Sequence, residues 1–200
     1  MRLLFSSTSP YARKVRVVIT EKGLEDRVTE VPTNPMEPDA DLVAQNPLHK
    51  VPALVLDDGA SLYDSRVICE YLDSLGPGPR LLSESGDTRW QTLRRQALAD
   101  GILDAALSTV MERRRPEGER SQMWLDRWRQ AITRGVAVAE GDLGALSGTL
   151  DMSQIAVASA LDYLDFRLPD LAWQDSHGAL AGWLNDMLAR PAFRRTDPRG

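Results

Sequence analysis

The sequence is poor in reactive and metal-binding side chains: of 200 residues, one is cysteine (Cys69) and two are histidine (His49 and His177). A lone cysteine cannot close an internal disulfide, and it suits a reducing compartment. So few soft ligands form no visible metal-binding cluster, and no metal is expected. Long apolar runs are also missing. None approaches the roughly 20 residues of a membrane-spanning helix, so no membrane partner is expected. Basic tracts are absent too. The net charge is −5 with both signs scattered, which argues against nucleic acid as the main partner. Met1 leads directly into Arg2-Leu3-Leu4-Phe5 and then polar residues. That is not the pattern of a secretory signal, so a cytoplasmic location is the expectation.

What is present divides into two halves. Up to about residue 75, short apolar runs alternate with helical stretches, whereas beyond Gly76-Pro77-Gly78-Pro79 almost everything reads as helix. The expected organisation is an α/β domain over residues 1–76, a linker over 77–85 and an all-helical domain over 86–200. In the first half, Arg2–Phe5 and Val28–Val31 read as strands. Between them Pro10–Lys22 reads as a helix, with proline at its first position and Gly23 just past its end. Strand, helix, strand favours a parallel pair with a right-handed crossover. A short helix is expected near Asp39–Gln45, and a strand over Val51–Leu56. Asp57-Asp58-Gly59 then makes a hairpin turn, Ser61–Tyr63 returns, and a helix opens at Asp64-Ser65. The order β-α-β-α-β-β-α is the thioredoxin-type arrangement.

In the second half, residues 87–115 carry one long amphipathic pattern, broken at Pro116 and Gly118. Residues 119–146 suggest a second helix. Asp151 and Gln154 have the spacing of a capping box, and the segment that follows is apolar or small on every face, as in a helix buried all round. A last helix is expected over Gly178–Ala189.

Three places have chemical potential. Ser9-Pro10-Tyr11-Ala12 opens the first helix, where free N–H groups and the helix dipole favour an anion such as a thiolate. The glutaredoxin pattern there is Cys-Pro-Tyr-Cys; here both cysteine places are taken, by Ser9 and Ala12, so disulfide exchange is not expected. A serine hydroxyl can instead donate to the thiolate of a bound thiol. Lowering a thiol pKa from roughly 8.5 by about two units corresponds to about 2.7 kcal/mol, within reach of one charge-assisted hydrogen bond plus a dipole. Ser9 reads equally as a plain N-cap ahead of an N1 proline. At Lys50-Val51-Pro52, a proline at the start of a strand is explained by a cis bond that frees the Val51 backbone for an extended ligand, or by an edge-strand proline beside a solvated lysine. Asp64-Ser65 could hold a carboxylate at a helix start, or simply cap it. Together the three match a tripeptide with a central thiol and a carboxylate at each end.

These residues also resemble a known family. Ser6-x-x-Ser9-Pro-Tyr-Ala-Arg-Lys-Val-Arg, Asn46-Pro-Leu-His-Lys-Val-Pro-Ala-Leu54, Leu62-Tyr-Asp-Ser65 and Ile68-Cys-Glu-Tyr-Leu72 are similar to the N-terminal domain of glutathione S-transferases. Ala99-Asp100-Gly101, the capping box before Ile155, and Arg190-Pro191 with Thr196 and Pro198 extend the likeness over the whole chain. Within the family the chain resembles the bacterial YibF-like branch. The resemblance implies a thioredoxin-like domain followed by a helical bundle, with glutathione as co-substrate. It implies that Ser9 faces the glutathione sulfur and that Val51 pairs with the cysteinyl part, with Pro52 in cis. Asp64 and Ser65 would hold the γ-glutamyl end and Lys50 the glycyl carboxylate. Asp100 would reach the γ-glutamyl amine across a dimer interface. A homodimer is implied, built on the helix after Asp64 and the helix around residues 90–105. His49 stands where the family commonly has glycine, Gln154 where it usually has aspartate, and Thr8 adjoins Ser9.

Cys69 falls within an apolar helical pattern and reads as a core residue. Arg113-Arg114-Arg115 reads as a solvated helix end or as the mouth of a pocket for an acidic or aromatic electrophile. The tryptophans at 124, 128, 173 and 183 read as core or interface. Two functions fit. One is an enzyme that activates glutathione through Ser9 and adds it to a small hydrophobic or aromatic electrophile, with peroxidase and thiol-lyase variants on the same site. The other is a non-catalytic module that binds glutathione or a protein partner.

Overall fold

The computed structural model describes residues 1–76 and 78–200. Of the Gly76–Pro79 linker run, Pro77 lies outside the described residues. The chain forms two compact units, Met1–Leu82 together with Arg190–Gly200, and Ser83–Ala189.

The first unit holds β1 (Arg2–Phe5), α1 (Pro10–Glu21), β2 (Thr29–Pro32), α2 (Ala40–Gln45), β3 (Ala53–Val55), β4 (Ser61–Leu62) and α3 (Ser65–Leu75). This is the expected β-α-β-α-β-β-α order. The four-stranded sheet runs β2-β1-β3-β4; β1 is parallel to β2 and antiparallel to β3, and β3 is antiparallel to β4. Leu3, Leu4, Ala53 and Leu54 are buried, as expected for strands covered on both faces. Val15, Val18 and Ile19 of α1 and Ile68, Cys69 and Leu72 of α3 supply helix surface to the core. Cys69 is thus a core residue. The bounds of three strands differ from the sequence reading: β4 ends at Leu62, one residue short of Tyr63. β2 begins at Thr29 and runs to Pro32, while β3 spans only Ala53–Val55 because Pro52 has no N–H for the ladder.

At one end of this unit a buried ion pair holds three segments together. Lys22 follows α1 and Asp73 lies in the last turns of α3. Their side chains are 3.1 Å apart and almost wholly buried. Such a pair is stable only if its remaining donors and acceptors are satisfied. Here Lys22 Nζ also donates to the Gly78 and Pro79 carbonyls at 3.1 and 2.9 Å. The Asp73 carboxylate accepts the Leu81 and Leu82 N–H groups at 2.9 and 3.1 Å. Gly76 lies against the lysine: a Cβ there would come within 2.7 Å of Lys22 Cε and 2.8 Å of its carbonyl oxygen.

The second unit contains α4 (Gly86–Arg113), α5 (Gln122–Gly141), α6 (Leu143–Leu146), α7 (Met152–Arg167) and α8 (Gly178–Leu188). α4 packs on α5 and α7. α7 is buried at every position from Met152 to Leu164, as its all-round apolar sequence implies. The long helix foreseen over 119–146 breaks at Asp142, which ends α5 and begins α6. Asp151 caps α7 by accepting the Gln154 N–H at 3.0 Å and also receives the Ser153 and Thr92 hydroxyls. Gln154 does not close a reciprocal box. Its amide donates to the Thr149 and Gly148 carbonyls, a bond that a carboxylate there could not make. The short α9 (Pro191–Arg195), not foreseen from the sequence, packs on α1 in the first unit.

Removing one partner of a buried, fully bonded pair leaves an uncompensated charge. Asp73→Ala is therefore expected to lower unfolding stability by about 3–5 kcal/mol, measured by urea denaturation. Gly76→Ala is expected to destabilise as well, since its Cβ meets backbone as well as side chain.

Candidate functional site

The strand register gathers the three sequence-predicted places at one end of the sheet. Leu4 opposes Ala53, so continuing the antiparallel β1–β3 pairing sets Phe5 opposite Pro52 and brings Ser6–Ser9 out beside Val51. Leu54 opposes Leu62, so continuing β3–β4 sets Tyr63 opposite Ala53 and Asp64 opposite Pro52. The N-termini of α1 and α3 both start from this edge. Two positive helix ends therefore flank the Val51–Pro52 step.

Ser9 is the N-cap of α1. Its hydroxyl oxygen accepts the Ala12 N–H at 3.3 Å, its carbonyl accepts the Arg13 N–H at 2.9 Å, and its own N–H turns back to Ser6 at 3.0 Å. A hydroxyl that accepts in this way keeps its proton for donation. Capping and thiolate binding are thus compatible at the same atom. Thr8 is exposed and its hydroxyl lies 3.4 Å from that of Ser6, so Ser9 and not Thr8 is the cap.

The Val51–Pro52 peptide is cis. The Val51 side chain is buried in a cluster with Leu4, Leu42 and Ala53, which anchors the loop from beneath. Its backbone N–H and C=O find no hydrogen-bond partner among the described residues. Asn46, only 3% exposed, shapes the approach: its amide donates to the Lys50 carbonyl at 2.8 Å and its side-chain oxygen accepts the Leu48 N–H at 3.1 Å. Sequence reasoning gave Asn46 no role; its position before Pro47 in a polar turn was the available signal. Lys50 is exposed, with its side chain free to meet an anion from solvent. His49 has φ of 53°, in the left-handed region. That accounts for the glycine preference at this place, and histidine is among the non-glycine residues that tolerate it. Its Nε2 is buried with no hydrogen-bond partner.

Asp64 caps α3 by accepting the Arg66 N–H at 2.9 Å, and its carbonyl receives the Ile68 N–H. Ser65 follows at the first helical position, 2% exposed, and its hydroxyl makes no hydrogen bond to another described residue. A nearly buried, unspent hydroxyl at a helix start suits a carboxylate acceptor.

Asp100 is different. It lies on α4 in the second unit with 1% of its surface exposed, so it does not stand on the chain's outer surface. Arg113 ends α4 and pairs bidentately with Asp170, both bonds 2.8 Å, which raises the guanidinium pKa and lowers the carboxyl's. It lines an open cleft of about 440 Å³ with Leu125, Arg129, Ile132, Leu168 and Leu171, all within the second unit. Trp173 is buried and donates to Asp165, Trp183 donates to the Leu146 carbonyl, and Trp124 stacks on Trp128 at 5.6 Å. Among the described residues, no group of three or more His, Cys, Asp or Glu is placed to hold a metal, and no helix is long and apolar enough to cross a membrane.

A thioredoxin-like sheet with an N-capping serine, a cis-proline step and a second helix start at one edge defines a class of thiol-binding folds. Comparison with known proteins agrees. Residues 8–75 match the glutathione S-transferase N-terminal domain and residues 122–186 the C-terminal domain. The GST-like protein YibF of Escherichia coli K12 is 36% identical, with 99% of this chain and 98% of that protein aligned. A glutathione transferase family member from Pseudomonas fluorescens Pf-5, solved with bound glutathione, superposes with a TM-score of 0.94 at 43% identity, covering 98% of this chain and 97% of that one. A Pf-5 structure with bound S-(propanoic acid)-glutathione gives 0.91 at 41% identity, covering 99% of each. The chain belongs to the glutathione S-transferase family.

Relieving the left-handed backbone at residue 49 and removing the orphaned ring nitrogen should outweigh the entropy lost by a glycine. His49→Gly is expected to stabilise the protein by about 0.5–1 kcal/mol, read as a higher melting temperature.

Proposed function

We propose that the protein is a glutathione transferase in which Ser9 activates the glutathione thiol as thiolate for attack on a small hydrophobic or aromatic electrophile. The observation that carries this reading is the geometry of Ser9: it caps α1 through an oxygen lone pair, retains a donatable proton, and opens onto the same sheet edge as Val51 and Ser65. In this reading the Val51 backbone pairs with the cysteinyl unit, as a short antiparallel extension of the sheet edge. Ser65, with Asp64 behind it, takes the γ-glutamyl carboxylate, and Lys50 takes the glycyl carboxylate. The Pf-5 relatives bind glutathione and a glutathione thioether, which supports the same ligand here.

The chemistry asked of the protein is modest. Donation from Ser9, added to the N-terminal end of α1, moves the thiol pKa from roughly 8.5 toward neutrality, so the bound thiol is largely ionised. Positioning supplies the remaining rate gain. A homodimer using α3 and α4 is part of the proposal, and the exposed Val67 and Trp90 on those helices are suited to such a contact. The intended compartment is the cytoplasm.

The test is titration calorimetry with glutathione in buffers of different ionisation enthalpy. Between the lowered and the free thiol pKa, binding ionises the thiol and releases a proton. At pH 7.5 the wild type is expected to release a substantial fraction of one proton, and Ser9→Ala to bind with that release largely lost. Absence of binding at millimolar glutathione would overturn the proposal.

A further inference from the structure

The cleft in the second unit is built from residues that the glutathione reading does not use. Its volume of about 440 Å³ is that of a small-molecule pocket. The deeper part of its lining is apolar. Ile132 of α5 and Leu168, just past the end of α7, are buried, and Leu125 and Leu171 are half-buried. Thr109 of α4 is buried there too, and its hydroxyl donates back to the Ala105 carbonyl of its own helix at 2.8 Å. The floor therefore offers a ligand apolar surface rather than a free donor.

The exposed rim is charged, with Arg113, Arg120 and Arg129 set among Glu117 and Asp126. These five groups are not equally available. Arg113 commits its fork to both oxygens of Asp170. Of the Arg113-Arg114-Arg115 run it alone lines the cleft, and Arg115 turns to Glu119 at 3.2 Å. Asp126 accepts the Gln122 amide at 2.8 Å. By contrast, Arg120 commits only Nε, to the Arg115 carbonyl at 2.9 Å. Arg129 commits only Nη2, to the Asp170 carbonyl at 3.5 Å. Most of the five N–H donors of each remain open, in the planar fork that matches a carboxylate. A charged rim over an apolar floor fits an amphipathic ion, and the rim decides its sign and valence. An organic cation would face Arg120 and Arg129. A phosphate dianion would meet Glu117 and Asp126 with about twice the charge of a carboxylate. A monoanion avoids the first repulsion and halves the second.

We propose that this cleft binds a monocarboxylate with an apolar body: Arg129 and Arg120 hold the carboxylate, and the body lies on Leu125, Ile132, Leu168 and Leu171. The site belongs to the helical unit alone, and it does not depend on glutathione binding at the sheet edge. Glu117 opposes the ligand from the same rim. Removing its charge must therefore strengthen the binding that removal of either arginine weakens.

The experiment is a titration of the intact protein with octanoate in the absence of glutathione. Binding is followed by the methyl resonances of the isotope-labelled protein and by calorimetry, with circular dichroism as the folding control. The methyl signals of Leu125, Ile132, Leu168 and Leu171 are expected to shift together along one saturation curve. Arg129→Met is expected to weaken binding by about tenfold, and Arg120→Met by about three- to tenfold, the scale of charge-assisted hydrogen bonds. Glu117→Gln is expected to tighten it by about two- to threefold, as suits an exposed charge. Arg134→Met removes the same charge from an exposed position of α5 outside the cleft, and is expected to leave the affinity unchanged. No methyl shift at millimolar octanoate overturns the proposal, as does wild-type affinity in both folded arginine variants. Equal binding of octylammonium, or displacement of octanoate by equimolar inorganic phosphate, overturns it as well. Should the arginine variants fail to fold, Glu117→Gln decides alone: tighter binding supports the proposal, and unchanged or weaker binding overturns it. Because no glutathione is present, failure here leaves the Ser9 reading standing, and failure of that reading leaves this one standing.

Discussion

The register of β3 is the constraint on which the rest of the site depends. This strand has only three residues, yet it is paired on both sides, with β1 and with β4. Because side chains alternate at a period of two, a slip of one residue would turn Leu54 off its face and carry Val51 away from the cluster with Leu4 and Leu42. The same pairing determines which loop ends lie side by side. It brings the Ser9 loop, the Val51–Pro52 step and the start of α3 to one edge. Three local features that are ambiguous singly thereby become parts of one arrangement.

Electrostatics and packing then act along the two helices that leave this edge. α1 and α3 pack on each other, and each presents its positive end to the site. Their far ends are clasped by Lys22 and Asp73, whose bonds also bind the 78–82 segment. The clasp and the site occupy opposite ends of the same helix pair. Stability is concentrated at one end, leaving hydroxyls and backbone groups unspent at the other. The C-terminal segment adds a second brace to α1 through Glu21, Glu25 and Arg13.

Much of this was legible in the sequence where the signal is local. Proline at N1 and Gly23 past the end bounded α1, the Asp57-Asp58-Gly59 turn marked the hairpin, and the all-apolar stretch after Asp151 marked α7 as buried. Local signals fail where a boundary is set by tertiary bonding. β3 was read as six residues and is three, because the pattern of apolar side chains does not register the missing N–H of Pro52. The break at Asp142 went unseen because α5 and α6 continue one apolar pattern. Nothing local in the sequence marks Lys22 and Asp73 as partners; only the fold reveals that they meet. Arg13 is the same case across 180 positions of sequence separation. Ser9, Val51 and Ser65 could be named from residue types and spacing. Asn46 could not, since its importance lies in which carbonyl its amide reaches.

The central claim is that one edge of the sheet binds glutathione along Ser9, Val51 and Ser65. Its most direct test is backbone amide chemical-shift mapping during a glutathione titration of the isotope-labelled protein. The account predicts the largest shifts at Val51, at Ser65 and Arg66, and in the first turn of α1 from Ser9 to Arg13, saturating together. Shifts confined to the helical unit, or saturating changes that leave Val51 and Ser65 unmoved, would contradict it.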